Sequence, residues 1–478
     1  MTSFDKSEQT NFQTALFGLS LDRAAAAPLH QQLVEALRQM ILSGRAAPGT
    51  RLPASRQLAR DLSVSRQTTL TALDQLLAEG YLETRPGAGT YVAHDLPHLA
   101  PPPAPAPIAT PAPPVPARPF HPGMPDMAQF PHAVWARHLD RAWRRPVPEL
   151  LALPDPFGWA PLRAAIAAHL AAWRGLDRPG AQVMITSGAT ETFELLARAL
   201  FRPGDEVLVE SPGFAPMRAA LTRAGLATTA MAVDGDGAIL PEGATARGVL
   251  VTPSRHYPMG MTLPLARRLA LIDWARRTDA WVIEDDYDSE FRYTGTPLPP
   301  LAALDAARVI YVGSFSKLLS PALRLGYAVL PQAVLAPLRA ALAETGPRAS
   351  LIPQPALARF MESGEFATHL RRMRRLYGQR QAVLRAALAR VLPDHLIATA
   401  DPAGMHLICR PGPALEQVPD TEIASLARDA GITLRALSTY WPNGDGPQGL
   451  VLGYAGFEPE ALEAAVQRLA QALISHYP

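Results

Sequence analysis

The sequence predicts two folded units of different class. The first is an N-terminal, mainly α-helical winged helix-turn-helix, and the second is a C-terminal α/β unit on a mainly parallel sheet. Three observations carry this. At 478 residues the chain exceeds one ordinary core. Eleven of the 23 residues from Pro97 to Pro119 are Pro and six are Ala. Such a stretch favours extended polyproline II and reads as a spacer. Beyond it, short β-like runs (VMIT, EVLVE, GVLVT, AWVIED, RVIYVGS) alternate with Ala/Leu/Arg-rich helical segments, the pattern of strands joined by crossover helices. The expected division is a tail over 1–27, a head over 28–94, a linker over 95–119 and a body over 120–478.

Composition narrows the function. Hydrophobic residues at 48% with 18% charged residues fit a soluble globular chain, and a net charge of +2 forces no nucleic-acid partner. The single Cys, Cys409, excludes an internal disulfide framework and fits a reducing compartment. The start, MTSFDKSEQTNFQT, lacks the apolar run of a signal peptide, and no apolar run reaches transmembrane length. A cytoplasmic protein with no membrane association is expected. The one close His pair, His94 and His98, brackets Pro97 at the start of the spacer, so no metal site is expected.

In the head, Leu29, Leu33, Leu37, Met40 and Ile41 share one helical face. Ser55 is placed to cap a helix carrying Leu58, Ala59 and Leu62. After the turn Ser63-Val64-Ser65, Ser65 is placed to cap a second helix, Arg66–Glu79, with Leu70, Leu73, Leu76 and Leu77 inward. Helix, short turn, helix is a DNA-reading arrangement, and the polar turn Arg66-Gln67-Thr68-Thr69 would face base edges. Tyr81–Thr84 and Thr90–Val92 then flank a Gly-rich tip holding Arg85 and Gly87, a wing able to approach phosphates. Arg51, Ser55, Arg56, Ser65, Arg66, Thr68, Thr69, Arg85 and Gly87 are the candidate contacts to a double-stranded DNA operator. Residues 28–94 hold seven Arg against five acids, so charge alone leaves a helical interaction domain open. The stretch PLHQQLVEALRQMILSGRAAPGTRLPASRQLARDLSVSRQTTLTALDQLLAEGYLETRPGAGTYV closely resembles the winged helix-turn-helix of GntR-type bacterial regulators, and that resemblance implies DNA binding.

In the body, one residue type stands out. The chain has 45 Lys plus Arg, of which only Lys6 and Lys317 are Lys. Arg stays protonated and is a poor nucleophile, whereas a desolvated Lys amine can form an imine with an aldehyde. Pyridoxal phosphate needs such an amine, an acid beside its pyridine nitrogen, a cover for its ring and a phosphate cradle. Lys317 is the candidate amine. Asp285 and Asp286 follow the apolar run Trp281-Val282-Ile283, at the carboxyl edge of a strand where α/β ligands bind. On its own EDDYDSE also fits an acidic loop or a divalent-metal site. Tyr287 is placed to bond the phenolic oxygen of the ring. For the phosphate, Ser187, Gly188, Ala189 and Thr190 lead into a helix whose N–H groups are free, with Ser314, Ser316 and Arg324 nearby. Phe214 is either a ring cover or a core aromatic.

The order of these pieces resembles fold-type I pyridoxal-phosphate proteins, the aminotransferase class. The strongest matches are DPFGWAPLRAAIAAHL, TSGATETFELLARAL, EDDYDSEFRY and GSFSKLLSPALRLGY. The resemblance implies Lys317 as the Schiff-base lysine, Asp285 at the pyridine nitrogen, and Arg324 with Ser314 at the phosphate. A GntR-type head on an aminotransferase-like body resembles the MocR-type regulators. That implies a bacterial transcription factor holding pyridoxal phosphate as an internal aldimine on Lys317. It also implies a head-to-tail homodimer responding to a small amine or amino acid, or to the cofactor itself.

Departures from the class bear on activity. Val451 stands where an Arg often clamps a substrate carboxylate, in Val451-Leu452-Gly453-Tyr454. TPSRHYPMG replaces the commoner TPSHQYPTG, making Arg255, His256 and Met259 substitutions. Leu153 stands where a Tyr often reaches the neighbouring subunit's phosphate, and Phe214 where Tyr is common. These count against sustained transamination more than against cofactor binding. An effector sensor is therefore expected, with an active aminotransferase carrying a DNA-binding head as the alternative. Val451 points to the cofactor itself, or an amine without an α-carboxylate, as the effector.

Overall fold

The computed structural model describes residues 19, 21–96, 118–152, 155–296, 298–399, 401–442, 444 and 446–477. Leu153 and most of the Pro/Ala-rich stretch lie outside them. The chain divides into two compact units, Met1–Val115 and Pro116–Pro478.

In the first unit, helices α1 (Leu29–Leu42), α2 (Ser55–Asp61) and α3 (Arg66–Ala78) precede a hairpin of β1 (Leu82–Arg85) and β2 (Gly89–Val92). Leu33, Val34, Leu37, Met40 and Ile41 of α1 close the core with Leu58, Ala72, Leu73, Leu76, Leu82 and Val92. Two sequence expectations change. Ala54, not Ser55, is the cap of α2, and no side chain bonds there, because Ser55 already opens the helix. The inward face of α3 is Thr69, Ala72, Leu73 and Leu76, so Leu70 and Leu77 sit at its margins. Ser65 does cap α3, its hydroxyl accepting from the Thr68 N–H at 3.0 Å.

The second unit is built on an eight-stranded sheet: β3 (Val183–Thr186), β4 (Glu206–Ser211), β5 (Ala227–Asp234), β6 (Gly237–Ala238), β7 (Gly248–Val251), β8 (Trp281–Asp286), β9 (Val309–Ser314) and β10 (Gly326–Val329). Their order is β3-β10-β9-β8-β7-β4-β5-β6. The run from β9 to β5 is parallel, while β10 is antiparallel to both neighbours and β6 to β5. Buried clusters on both faces explain why these strands read as continuous apolar runs rather than alternating ones. A second sheet of β11 (Leu396–Ala398), β12 (His406–Pro411), β13 (Arg435–Ala436) and β14 (Leu450–Gly453) is antiparallel in the order β11-β12-β14-β13. The long helices Glu365–Val391 and Pro459–His476 pack together, the former also against β11.

Candidate functional site

In the first unit, Arg51, Arg56, Ser65, Arg66, Arg85 and Gly87 are all exposed, and Ser55 and Thr68 are half-buried. Arg56, Arg60 and Arg66 line one open cleft of about 600 Å³ with Ala59, Ser63 and Val64, at the turn between α2 and α3. The sequence reading passed over Arg60; its place one turn after Arg56 on a short helix was the available signal. Arg85 lies over the Tyr91 ring at 4.4 Å and pairs with Glu83 at 2.8 Å, which steadies the wing. Thr69 is the exception. It is fully buried, and its hydroxyl donates back to the Ser65 carbonyl. A helix exposes only one side, so Thr69 belongs to the core while Arg66 belongs to the cleft.

In the second unit, strand register brings the remaining candidates together. Gly326 of β10 pairs with Thr186 of β3 on one side and Ser314 of β9 on the other. The turns beyond those three residues hold Ser187 and Gly188, Ser316 and Lys317, and Arg324. Gly188 caps the helix Ala189–Leu200, and nothing lies within 4 Å of where a Cβ would sit on it. Ser316 donates its backbone N–H to the Ser314 hydroxyl. Arg324 and Thr190 are exposed.

Beside β9, Asp285 of β8 faces Val312 and Asp286 faces Gly313. Successive side chains of a strand point to opposite faces, so the two carboxylates part company. Asp286 is fully engaged: Arg174 stands 3.0 Å away, and the Ser289 and Tyr311 hydroxyls donate to it at 2.8 Å. Asp285 is buried, and its pKa is pushed up to about 8, by burial first and then by the charges of Asp286 and Asp288. The Lys317 charge opposes that rise. Lys317 is half-buried, and burial holds its amine below the usual lysine range. Its Nζ donates to the Gly123 carbonyl at 2.6 Å.

An aromatic group walls this region. The Tyr257 ring meets Phe214, Tyr287, His406 and Tyr440 with centroids 5.5–5.6 Å apart. Phe214 is half-buried at the start of the helix Ala215–Arg223. Tyr287 does not hang free: Arg255 Nη1 donates to its hydroxyl at 2.9 Å. Arg255 also pairs with Asp288 at 3.2 Å and Asp401 at 2.5 Å, and donates to the His406 carbonyl at 2.9 Å. Burial alone would lower its pKa, but the surrounding carboxylates and Tyr287 hold it well above its ordinary value. Gly404 permits this crowding, since a Cβ there would lie 2.2 Å from the Arg255 Cζ. Sequence reading marked Arg255 only as a substitution and passed over Gly123, Tyr257, Asp288 and Asp401; their roles depend on contacts far along the chain.

No group of three or more His, Cys, Asp or Glu able to hold a metal occurs among the described residues. No helix of the described residues is long and apolar enough to cross a membrane.

Comparison with known proteins fits both units. Residues 29–92 match the family described as "Bacterial regulatory proteins, gntR family", and residues 127–469 match "Aminotransferase class I and II". The chain is 39% identical to the probable rhizopine catabolism regulatory protein MocR of Rhizobium meliloti, over 96% of each chain. It is 36% identical to the HTH-type pyridoxine biosynthesis transcriptional regulator PdxR of Corynebacterium glutamicum, over 92% of this chain and 95% of that one. Among solved structures, the α-aminoadipate aminotransferase LysN of Thermus thermophilus, complexed with N-(5'-phosphopyridoxyl)-L-leucine, superposes with a TM-score of 0.68 and 26% identity, covering 75% of this chain and 92% of that one. Pyrococcus horikoshii kynurenine aminotransferase shares the fold with a TM-score of 0.68, at 23% identity over 76% of this chain and 92% of that one. A gntR-type DNA-binding head thus precedes an aminotransferase-type body in one chain, and the protein belongs to the MocR-type transcriptional regulators.

Proposed function

We propose that this regulator holds pyridoxal phosphate on Lys317 and uses the loaded site to sense a small amine, an amino acid or the cofactor itself. The observation that carries the reading is the placement of two residues: Asp285 lies at the end of β8 beside β9, and the short helix carrying Lys317 follows β9 directly. Burial lowers the pKa of the half-buried amine and raises that of the buried carboxyl, and the charge of each opposes the shift of the other. Such a carboxyl is suited to a partner that brings its own N–H, as a protonated pyridine does.

The residues present fit the group. Lys317 would supply the amine, Asp285 would hold a proton at the pyridine nitrogen, and Tyr287, oriented by Arg255, would offer a hydroxyl beside the ring. Phe214 would cover it. Gly188, Ala189, Thr190, Ser314, Ser316 and Arg324 would receive the phosphate, at a helix start with free N–H groups and an unfilled approach. When bound, the cofactor supplies an aldehyde that bonds reversibly to primary amines. The exposed Thr190 and Arg324 leave the phosphate end open in a single chain, which supports a homodimer in which a second copy covers it. A head-to-tail arrangement in the bacterial cytoplasm is the form we propose.

The first unit would present Arg56, Arg60 and Arg66 to an operator, with Arg51, Arg85 and Gly87 at the backbone. An effector that displaces the Lys317 amine acts on DNA binding only through its different affinity for two arrangements of the protein. Sensing is favoured over turnover because Val451, fully buried in an apolar patch, puts no charge at the position where the resemblance expects an arginine to clamp a substrate carboxylate. The test is a fluorescence titration of operator DNA with the loaded protein and candidate amines, alongside an assay for keto acid. A ligand-dependent change without sustained keto-acid production is the expected result. Sustained turnover would overturn the sensor reading.

A further inference from the structure

Val451 removes a guanidinium from one position, but the adjoining strand supplies another. β13 runs antiparallel to β14 with Arg435 directly opposite Val451, and β12 sets Ile408 opposite Val451 on the other side. Residues opposed across an antiparallel ladder project from the same face. Ile408, Val451 and Arg435 therefore form one row across the sheet, with Leu437, two residues from Arg435, on the same face. Ile408, Leu437 and Val451 form a buried apolar patch on which Met259, Tyr440 and Trp441 pack.

That patch borders the cofactor pocket. The Tyr440 hydroxyl lies 3.1 Å from that of Tyr257, whose ring meets Phe214 and Tyr287. Arg435 itself is exposed, at the end of the row that solvent can reach. Its charge nevertheless extends into the pocket: it is among the causes that hold Lys317 and His121 below their ordinary pKa values, after burial. One guanidinium thus shares a sheet face with the apolar floor, on the strands along which the segment Pro119–Gly123 runs to the lysine.

We infer that Arg435 is the anion-recognition residue of the effector pocket, and that the effector is a primary amine carrying an acidic group. The inference rests on the reading of Lys317 given above. Neighbouring strands lie about 4.8 Å apart, so an anion site on β13 is displaced by about that much from one at position 451. An arginine fork is also suited to a carboxylate in a way a bare ammonium is not. An effector with an acidic group departs from the expectation drawn from Val451, of an effector without an α-carboxylate, once the neighbouring strand is taken into account.

The test is calorimetric titration of the full-length protein loaded with pyridoxal phosphate. Two matched pairs differ only by a methyl in place of a carboxylate: propylamine with β-alanine, and isopropylamine with alanine. In the wild type, the acid of at least one pair should bind about tenfold or more tightly than its amine, as expected for a charge-assisted contact. Arg435→Gln should erase that advantage while leaving the amine's affinity unchanged, and Arg435→Lys should restore part of it. An acid no better than its amine in both pairs, an advantage that survives Arg435→Gln, or no binding by any of the four would overturn the proposal. Borohydride fixation of the cofactor to Lys317, measured in wild type and Arg435→Gln, is the separate control. Its loss in both is a failure of the cofactor reading rather than of Arg435.

Discussion

The Lys317 Nζ donates to the Gly123 carbonyl at 2.6 Å. Gly123 lies just after the Pro/Ala-rich stretch, in a segment laced to the second sheet. Phe120 bridges Gly453, and the Pro119 carbonyl accepts from the Thr433 N–H at 2.9 Å. The left-handed φ of +73° at Gly123, and the 2.9 Å from a Cβ there to Nζ, leave room for this contact only with glycine. Any new bond to the lysine nitrogen competes with that hydrogen bond. The site and the entry to the second unit are therefore linked.

Lys317→Ala is expected to keep operator affinity and lose the response to effector. Fluorescence anisotropy on an operator fragment recovered by selection, with and without amines, checks this. A variant that still responds would mean that exchange at Lys317 is not the switch.

Arg66→Ala should weaken operator binding by about 1–3 kcal/mol if Arg66 reads a base edge. Thr69→Val should leave affinity and sequence preference unchanged, because Thr69 is fully buried. Gel-shift titrations at fixed salt distinguish the two, and equal losses from both would mean α3 is presented differently.

Four buried carboxyls have raised pKa values: Asp285 and Glu210 to about 8, Glu284 and Asp288 to about 7, in each case through burial first. Below about pH 6.5 the buried His256, His369 and His406, whose pKa values burial lowers, offset these carboxyls; above it the carboxyls still hold protons that the unfolded chain has lost, so stability declines as pH rises from about 6.5 to 8. Thermal melts of cofactor-free protein should show this decline. Asp285→Asn should make it shallower by at most about one proton. An unchanged slope would show that Asp285 is ionised throughout.

Arg255→Gln should destabilise the second unit by about 3–5 kcal/mol, because it strands the buried Asp288 and the half-buried Asp401 without their shared cation. Urea unfolding measures the loss. Adding Asp401→Asn should recover part of it, since one of the stranded charges is then gone. A loss below about 1 kcal/mol, the range of exposed pairs, would mean that the pairing contributes little.

Much of this was legible in the chain, for definable reasons. The strand runs read true because parallel strands covered on both faces are apolar throughout, and VMIT and EVLVE begin where the strands begin. Lys317 was visible because Arg replaces Lys almost everywhere else. The α3 face was misjudged because counting leucines ignored Thr69 and Ala72, small residues that suit a close helix contact. The residue pattern alone left Asp285 and Asp286 equal; the resemblance picked Asp285, and strand alternation sends the two carboxylates to opposite faces. Gly123 and Asp401 left no local signal, since each reaches the site through a partner more than a hundred residues away.

The most direct measurement is the visible absorption spectrum of purified protein incubated with pyridoxal phosphate, before and after borohydride, followed by peptide mapping. The only other lysine is Lys6, so the result is simple to assign. The account predicts a visible band that reduction bleaches and a phosphopyridoxyl group fixed on Lys317, both absent in Lys317→Ala. A colourless protein, or an adduct found elsewhere, would contradict it.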